Sequence, residues 1–292
     1  MPLHRLFDSG LAGHVSRALG IAADLPMPRR VLDPLIGIYS MAVGVDANDA
    51  DVPPGGFPSF GDFFARRLKS GARPVAAGHD AFVSPCDGAI AALGSTSGDG
   101  SAGSIFRIKG SDYDADELLG GTGEGARFRG GGFLVVYLHP RDYHRVHAPC
   151  RGVLSRVRHV PGARFPVAPW SEKRVPLLYQ KNERVIFFFE LGRGGALALV
   201  MVSAMGVGNI ASPHAPIPSP SGETTRALAP PLELQTGDEV GAFRLGSTVA
   251  LLWSAGAVCP GPGIAVGQRV LQGQGFGVLG EDGSDAAGRG SK

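Results

Sequence analysis

Residues 184–204 read RVIFFFELGRGGALALVMVSA. Two strand-like apolar runs, Arg184–Leu191 and Ala196–Ala204, flank a glycine-rich interval at 192–195. Similar runs recur at Gly88–Leu93, Ser104–Ile108, Gly132–Leu138, Val153–Val160, Val240–Arg244 and Thr248–Trp253, with Gly, Pro, Asp and Asn punctuating the gaps. One short helix is expected at Asp114–Leu119. The 45 glycines and 23 prolines of the 292 residues fit many tight turns between short segments.

Upstream of these strands the chain reads as helical, over residues 1–50. Leu11, Val15, Leu19 and Ile21 share a face, and Val31–Val45 continues the pattern with Leu32, Leu35, Ile36 and Tyr39. Pro34 is expected in the first turn of the second helix, where its missing N–H costs little. That helix is apolar on nearly all sides and begins with Arg29 and Arg30. Such a helix packs in a core or lies in a membrane interface, and core packing is the expectation here because short buried helices are commoner. A break, DVPPGG, occupies 51–56. The expected fold is therefore α+β, with N-terminal helices followed by a β-rich barrel or sandwich. A catalytic region over 51–280 and a frayed polar tail over 281–292 complete the expected organisation.

Composition narrows the function. Apolar residues make up 43% and charged residues 18%, as in ordinary folded proteins. A net charge of +2, with no lysine–arginine run, gives no groove for a polyanion, so no nucleic-acid partner is expected. The three cysteines, Cys86, Cys150 and Cys259, are too few and too scattered for a disulfide framework or a zinc ligand pair, which suits a reducing compartment. The N-terminal residues lack the apolar core and cleavage site of a signal peptide, so none is expected. The longest mainly apolar run, Leu35–Val45, is far short of the roughly 20 residues a bilayer span needs.

Four segments stand out. SPCDG at 84–88 holds an Asp-Gly pair that is also a common turn. YLHPRDYHRVHAP at 137–149 places His139, His144 and His147 within nine residues after an apolar strand, and histidine is the side chain best suited to move protons near neutral pH. The cluster also admits a structural reading, with imidazoles bonded to backbone carbonyls, or a metal site, although neither HExxH nor a cysteine pair completes one. FGDFFARRLK at 60–69 reads as an amphipathic core turn without chemistry. FRLGSTV at 243–249 reads as a Gly-Ser turn between strands.

In order and spacing these segments resemble the bacterial phosphatidylserine decarboxylases. That family carries an FNDFFxRxLK-like stretch, a PADG-like segment, a YLxPRDYHRVHxP segment and an LGST or GSS cleavage site. The counterparts here are FGDFFARRLK, SPCDG, YLHPRDYHRVHAP and LGST. Weaker matches, including IKGSDYDADELLGG, VPGARFPVAP and NERV, spread the likeness over residues 57–256. Ser84 and Cys86 depart from the usual small residues, while Asp87 and Gly88 are intact.

The resemblance implies a pyruvoyl enzyme that makes phosphatidylethanolamine and CO2 from phosphatidylserine through a Schiff base, with neither metal nor pyridoxal phosphate. Decarboxylating an amino acid leaves a carbanion that needs an electron sink, and cofactors supply such sinks. Here the sink would form when Ser247 attacks the carbonyl of Gly246, splitting the zymogen into a β chain 1–246 and an α chain from 247. Glycine lacks a Cβ, so a strained turn and close approach cost least at 246. A serine hydroxyl needs a base oriented by a third group, and the resemblance gives those roles to His147 and Asp87. His144 is the candidate acid in decarboxylation. Residues three apart face opposite sides of a strand but meet on a helical turn, so the division between His144 and His147 depends on local structure.

A phospholipid substrate further implies peripheral attachment of residues 1–50 to the cytoplasmic face of the cell membrane, and leaves open whether the α/β pair dimerises further. Arg141 and Arg145 are candidates for pairing with the lipid phosphate. Another aminoacyl phospholipid or a soluble phosphoserine analogue is an alternative substrate. The rival functions are a serine hydrolase using Asp87, His147 and Ser247, which lacks the G-x-S-x-G elbow, and a β-rich membrane-binding or carrier module without chemistry.

Overall fold

A computed structural model describes residues 20–97, 104–108, 110–167, 171, 174–204, 210–217, 222–244 and 247–280. The predicted helical face at Leu11–Leu19, Gly246 and the polar tail lie outside these residues. The helices are α1 (Arg29–Val43), α2 (Phe60–Phe64), α3 (Ala115–Leu118) and α4 (Leu178–Lys181), with a further helical turn at 20–24. The strands of the first half are β1 (Ala50–Asp51), β2 (Arg67–Leu68), β3 (Ala81–Val83), β4 (Gly88–Ser95), β5 (Ile105–Ile108), β6 (Ser111–Asp114), β7 (Gly132–Leu138), β8 (Arg145–His147) and β9 (Gly152–Val160). Those of the second half are β10 (Arg184–Glu190), β11 (Ala196–Ser203), β12 (Ile210–Ala211), β13 (Thr224–Leu234), β14 (Glu239–Phe243), β15 (Ser247–Trp253), β16 (Val258–Pro260), β17 (Arg269–Val270) and β18 (Gly275–Leu279).

An eight-stranded antiparallel sheet dominates, in the order β13-β9-β10-β11-β15-β7-β4-β17. Every residue of β11 and β15 is buried, which explains why their sequences are continuous apolar runs rather than alternating ones. Successive side chains feed opposite faces. Leu197, Leu199 and Met201 join Val249 and Leu251 in one core. Ala198, Val200 and Val202 join Ala250 and Leu252 in the other. The first core also takes Val146, Val240 and Phe243 from a three-stranded sheet, β12-β14-β8, and Phe82, Val258 and Phe276 from another, β16-β18-β3. The second core is closed by the β5–β6 hairpin and by α3 and α4, through Phe106, Tyr113, Leu118 and Leu178.

The α+β expectation holds, and of its two β architectures the sandwich is the one formed. Strands β13 and β17 end the large sheet without pairing to each other, so no barrel closes. Edge position suits β13, because Pro230 and Pro231 cannot donate to a ladder and its register against β9 shifts between Ala227 and Leu232.

The expected burial of the second N-terminal helix is corrected. In α1 only Leu32 is buried, whereas Ile38 is 63% and Met41 79% exposed, alongside Val31 and Leu35. α1 is held to the body by the buried Leu32 and by Tyr39, which sits edge-on to Phe60 and Phe63 of α2 and donates its hydroxyl to the Pro140 carbonyl at 3.2 Å. Gly44, in the left-handed region at φ 76°, ends the helix. No described helix is long and apolar enough to cross a membrane.

Candidate active site

Ser247 is the first residue of β15. It lies in register between Ser203 of β11 and Leu138 of β7, and is fully buried. Its hydroxyl thus sits at the end of a central strand whose backbone is paired on both sides.

The histidine segment reaches this hydroxyl by way of a tight turn. The Asp142 carboxylate accepts from the His139 backbone N–H at 2.8 Å, and the Asp142 N–H donates to the His139 carbonyl at 2.8 Å. Arg269 donates to the other Asp142 oxygen at 2.8 Å. Beyond the turn, the His144 carbonyl accepts from Phe243 of β14, and its ring enters the interior.

His144 Nδ1 lies 3.2 Å from Ser247 Oγ, and Nε2 lies 3.2 Å from the His139 carbonyl oxygen. A carbonyl can only accept, so Nε2 carries the proton and Nδ1 presents its lone pair to the serine. Burial pushes the His144 pKa down to about 3, and the Arg66 guanidinium adds to the shift. The ring is therefore neutral near pH 7. Phe64 packs on it at 4.1 Å between centroids.

His147 belongs to β8 and uses both ring nitrogens elsewhere. Nδ1–H donates to the Gly237 carbonyl at 2.8 Å, and Nε2 accepts from the Tyr143 hydroxyl at 3.1 Å. Burial lowers the His147 pKa and raises the Tyr143 phenol to about 12. Because β8 is extended, the two histidines three residues apart serve opposite sides.

Asp87 lies next to this strand, because the His147 N–H donates to the Pro85 carbonyl at 2.8 Å. Its carboxylate is held by Arg73, through Nε at 3.0 and 3.1 Å and Nη2 at 2.7 Å, and by the Gln272 N–H at 2.8 Å. Gly88 follows because β7 passes too close for a side chain; a Cβ there would stand 2.5 Å from the Tyr137 carbonyl oxygen.

The expected hydrogen-bonded relay of Asp87, His147 and Ser247 is thus not the arrangement found. Asp87 is engaged by Arg73 and His147 by Tyr143, and the ring on the serine is His144. The Asp87 charge still acts on His147 electrostatically. The phosphate-pairing expectation for Arg145 is also corrected, since Arg145 is bound to Glu239 and to the Ala65 carbonyl. Arg141 remains half-exposed.

A buried serine carrying a neutral imidazole on its hydroxyl, at the start of a strand, is equipped for acyl transfer at its own backbone or on a ligand. The comparisons decide the family. Residues 60–278, well over half of the chain, match the family model described as phosphatidylserine decarboxylase.

The chain belongs to the phosphatidylserine decarboxylase family.

Membership makes the enzyme class a decarboxylase, a carboxy-lyase. A phosphatidylserine decarboxylase proenzyme of Bordetella petrii is 40% identical over 252 residues, covering 84% of this chain and 85% of the relative. Proenzymes of the same name from Azotobacter vinelandii and Pseudomonas aeruginosa are each 39% identical, covering 90% and 89% of this chain and 93% and 91% of those relatives.

Sequence reasoning missed two residues of this member of the family. The FGDFFARRLK segment, read as core without chemistry, supplies Phe64 against His144 and the buried Arg66 behind it. The available signal was a pair of arginines following two phenylalanines. Only Arg67 of that pair reaches solvent.

Proposed function

We propose that this chain is a proenzyme that cuts itself between Gly246 and Ser247, and then converts phosphatidylserine to phosphatidylethanolamine and CO2. The observation that carries the reading is the His144 Nδ1 lone pair on the buried Ser247 hydroxyl. Family membership and the proenzyme names of the relatives support it.

In the cut, Ser247 Oγ gives up its proton and attacks the Gly246 carbonyl. The peptide C–N bond breaks, leaving an ester and a free amine on residue 247. Loss of the 247 α-proton expels the Gly246 carboxylate. Water then replaces the nitrogen, which leaves as ammonia. Ser247 fits as the precursor of the resulting pyruvoyl group, because its hydroxyl faces a proton acceptor and its backbone is fixed between β11 and β7. Once formed, that group supplies a carbonyl that takes up the substrate amine and draws electrons from the α-carbon as CO2 leaves.

The four expected residues take separate parts. His144, the ring in contact with residue 247, handles the proton at the substrate α-carbon. Asp87 and His147 assist the cut, His147 exchanging its Tyr143 bond for the serine proton. A second reading is favoured by the 3.2 Å contact itself: His144 serves as base in the cut as well.

Attachment to the cytoplasmic face of the cell membrane completes the proposal, with the cut α and β chains held as one particle. Its support is the outward apolar face of α1 beside Arg29 and Arg30. The deciding experiment is a mass measurement of the purified chains under denaturing conditions. Two chains, with the smaller one blocked at its N-terminus, support the proposal. A single intact chain with an unmodified serine refutes it and returns the hydrolase or the binding module.

A further inference from the structure

Arg66 follows α2 and is only 4% exposed. Its Nη2 donates weakly to the backbone carbonyls of Arg141 and Asp142, at 3.3 and 3.4 Å. Its Nε and Nη1 are buried and have no hydrogen-bond partner. Burying a guanidinium with half of its fork unbonded is costly, and charge-assisted bonds are the strong ones that ordinarily offset such burial. The guanidinium lies over the Phe63 ring at 5.4 Å, and its charge is felt by His144, Tyr39, Asp87, Asp142 and Arg73. Of the two carboxylates, Asp87 is committed to Arg73 and Asp142 to Arg269 and the His139 N–H. Neither neutralises Arg66 by contact.

We infer that Arg66 is the oxyanion-binding residue of the active site, its unpartnered Nε–H or Nη1–H donating to a carboxylate or phosphodiester oxygen of the lipid headgroup. The inference rests on the proposed function and names the anion contact that the sequence placed at Arg141 or Arg145. A charge-assisted N–H donor of this kind suits an oxygen of either group. Binding has a second consequence. Arg66 is the leading charge that disfavours the protonated His144 ring, so an anion on Arg66 relieves that opposition just as the substrate arrives. Substrate binding and proton supply are thereby coupled through one side chain.

The test uses the matured two-chain enzyme, with phosphatidylserine in mixed micelles and CO2 release as the readout. Arg66→Gln should raise KM by about ten- to hundredfold, the usual weight of hydrogen bonds to a charged group. Arg66→Lys, which keeps the charge and loses the fork, should fall between. The acid limb of kcat should move in Arg66→Gln relative to Arg66→Lys, a change that a merely structural arginine would not produce. Phosphatidylethanolamine, which keeps the phosphodiester and lacks the carboxylate, identifies the group bound. If its inhibition weakens in step with KM, Arg66 holds the phosphodiester; if it is unchanged while KM rises, Arg66 holds the carboxylate. An unchanged KM with a lowered melting temperature, or failure of both variants to mature, makes Arg66 a structural post and overturns the inference. A wild-type chain that neither matures nor releases CO2 would instead defeat the proposed function.

Discussion

Arg244 donates to Asp24 at 2.8 Å, joining the residue that follows β14 to the helical turn at 20–24. Its other terminal nitrogen reaches Asp62 of α2 at 3.2 Å. The contact is close: a Cβ at Gly61 would stand 2.1 Å from the Asp24 carboxylate, which would have to move away from Arg244 to make room. Ser247 lies three residues beyond Arg244, so on the proposed cut the N-terminal segment helps to aim the scissile bond. Arg244→Glu should therefore slow maturation roughly tenfold, the effect of losing about 1.4 kcal/mol of alignment. Adding Asp24→Arg should restore part of the rate. A gel time course measures both; equal rates in wild type and Arg244→Glu would free the cut from this contact.

The two histidines are separable by substitution. Ser247→Ala should remain one inactive chain. Under the relay reading, His147→Ala and Asp87→Ala stay largely uncut, while His144→Ala matures and loses about 10²–10⁴-fold in CO2 release. Under the contact reading, His144→Ala stays uncut and His147→Ala matures. Each variant run on a gel beside a decarboxylation assay tells them apart.

Acid should destabilise the folded chain through His144. Its pKa is about 3 when folded and 6.5 when free, so between these values the unfolded chain binds the extra proton. Stability is untouched above pH 6.5 and falls as pH drops through that window, by about 1.4 kcal/mol per pH unit for one proton. In the uncut Ser247→Ala background, His144→Phe should show a smaller loss of denaturation midpoint between pH 7.5 and pH 5. Equal losses would remove His144 from the acid response.

The outward face of α1 should matter for vesicles and not for the cut. Ile38→Asp with Met41→Asp replaces two exposed apolar residues and disturbs no core contact. Co-sedimentation with anionic vesicles should drop several-fold while both chains still form. Undiminished sedimentation would place attachment elsewhere.

Gly88→Ala should destabilise the fold by about 1–3 kcal/mol, the cost of forcing atoms into a packed site. The added methyl would meet the Tyr137 carbonyl and, at 2.6 Å, Val136 Cγ1. Chemical denaturation of the uncut chain measures the loss, and an unchanged midpoint would mean that β7 can yield.

The strands at the centre of the sheet were legible because burial on both faces writes a continuous apolar run, as in Ala196–Ala204. Edge strand β13 was not, since Pro230 and Pro231 interrupt the pattern and most of its residues face solvent. Periodicity identified α1 as a helix but overestimated its burial, because an apolar face does not say what covers it. The catalytic candidates were visible as residue types at family spacing. Which histidine touches Ser247 was not, because it depends on a turn closed by Asp142 and on the extended backbone of β8. Arg66 was invisible for a related reason: sequence gives its charge, and only packing shows that two of its nitrogens lack partners.

The place of β15 would give the proposed cut a lasting consequence. Ser247–Trp253 is laddered to β11 on one side and to β7 on the other, and further along the chain β17 and β18 pair with β4 and β3. The fragment that the proposed cut would release at Ser247 is therefore woven through the other, with every seam of its central strand sealed, and neither piece could drift away without dismantling both cores. Where His144 is the base of the proposed cut, folding must come before it, because the folded chain brings His144 to the serine. Once cut, the protein can be dismantled as one body but would have to be rebuilt from two. Its reassembly after denaturation would be bimolecular and concentration-dependent, where that of the uncut precursor is not. The proposed maturation would thus exchange a chain that can refold alone for a catalyst that persists by never letting go.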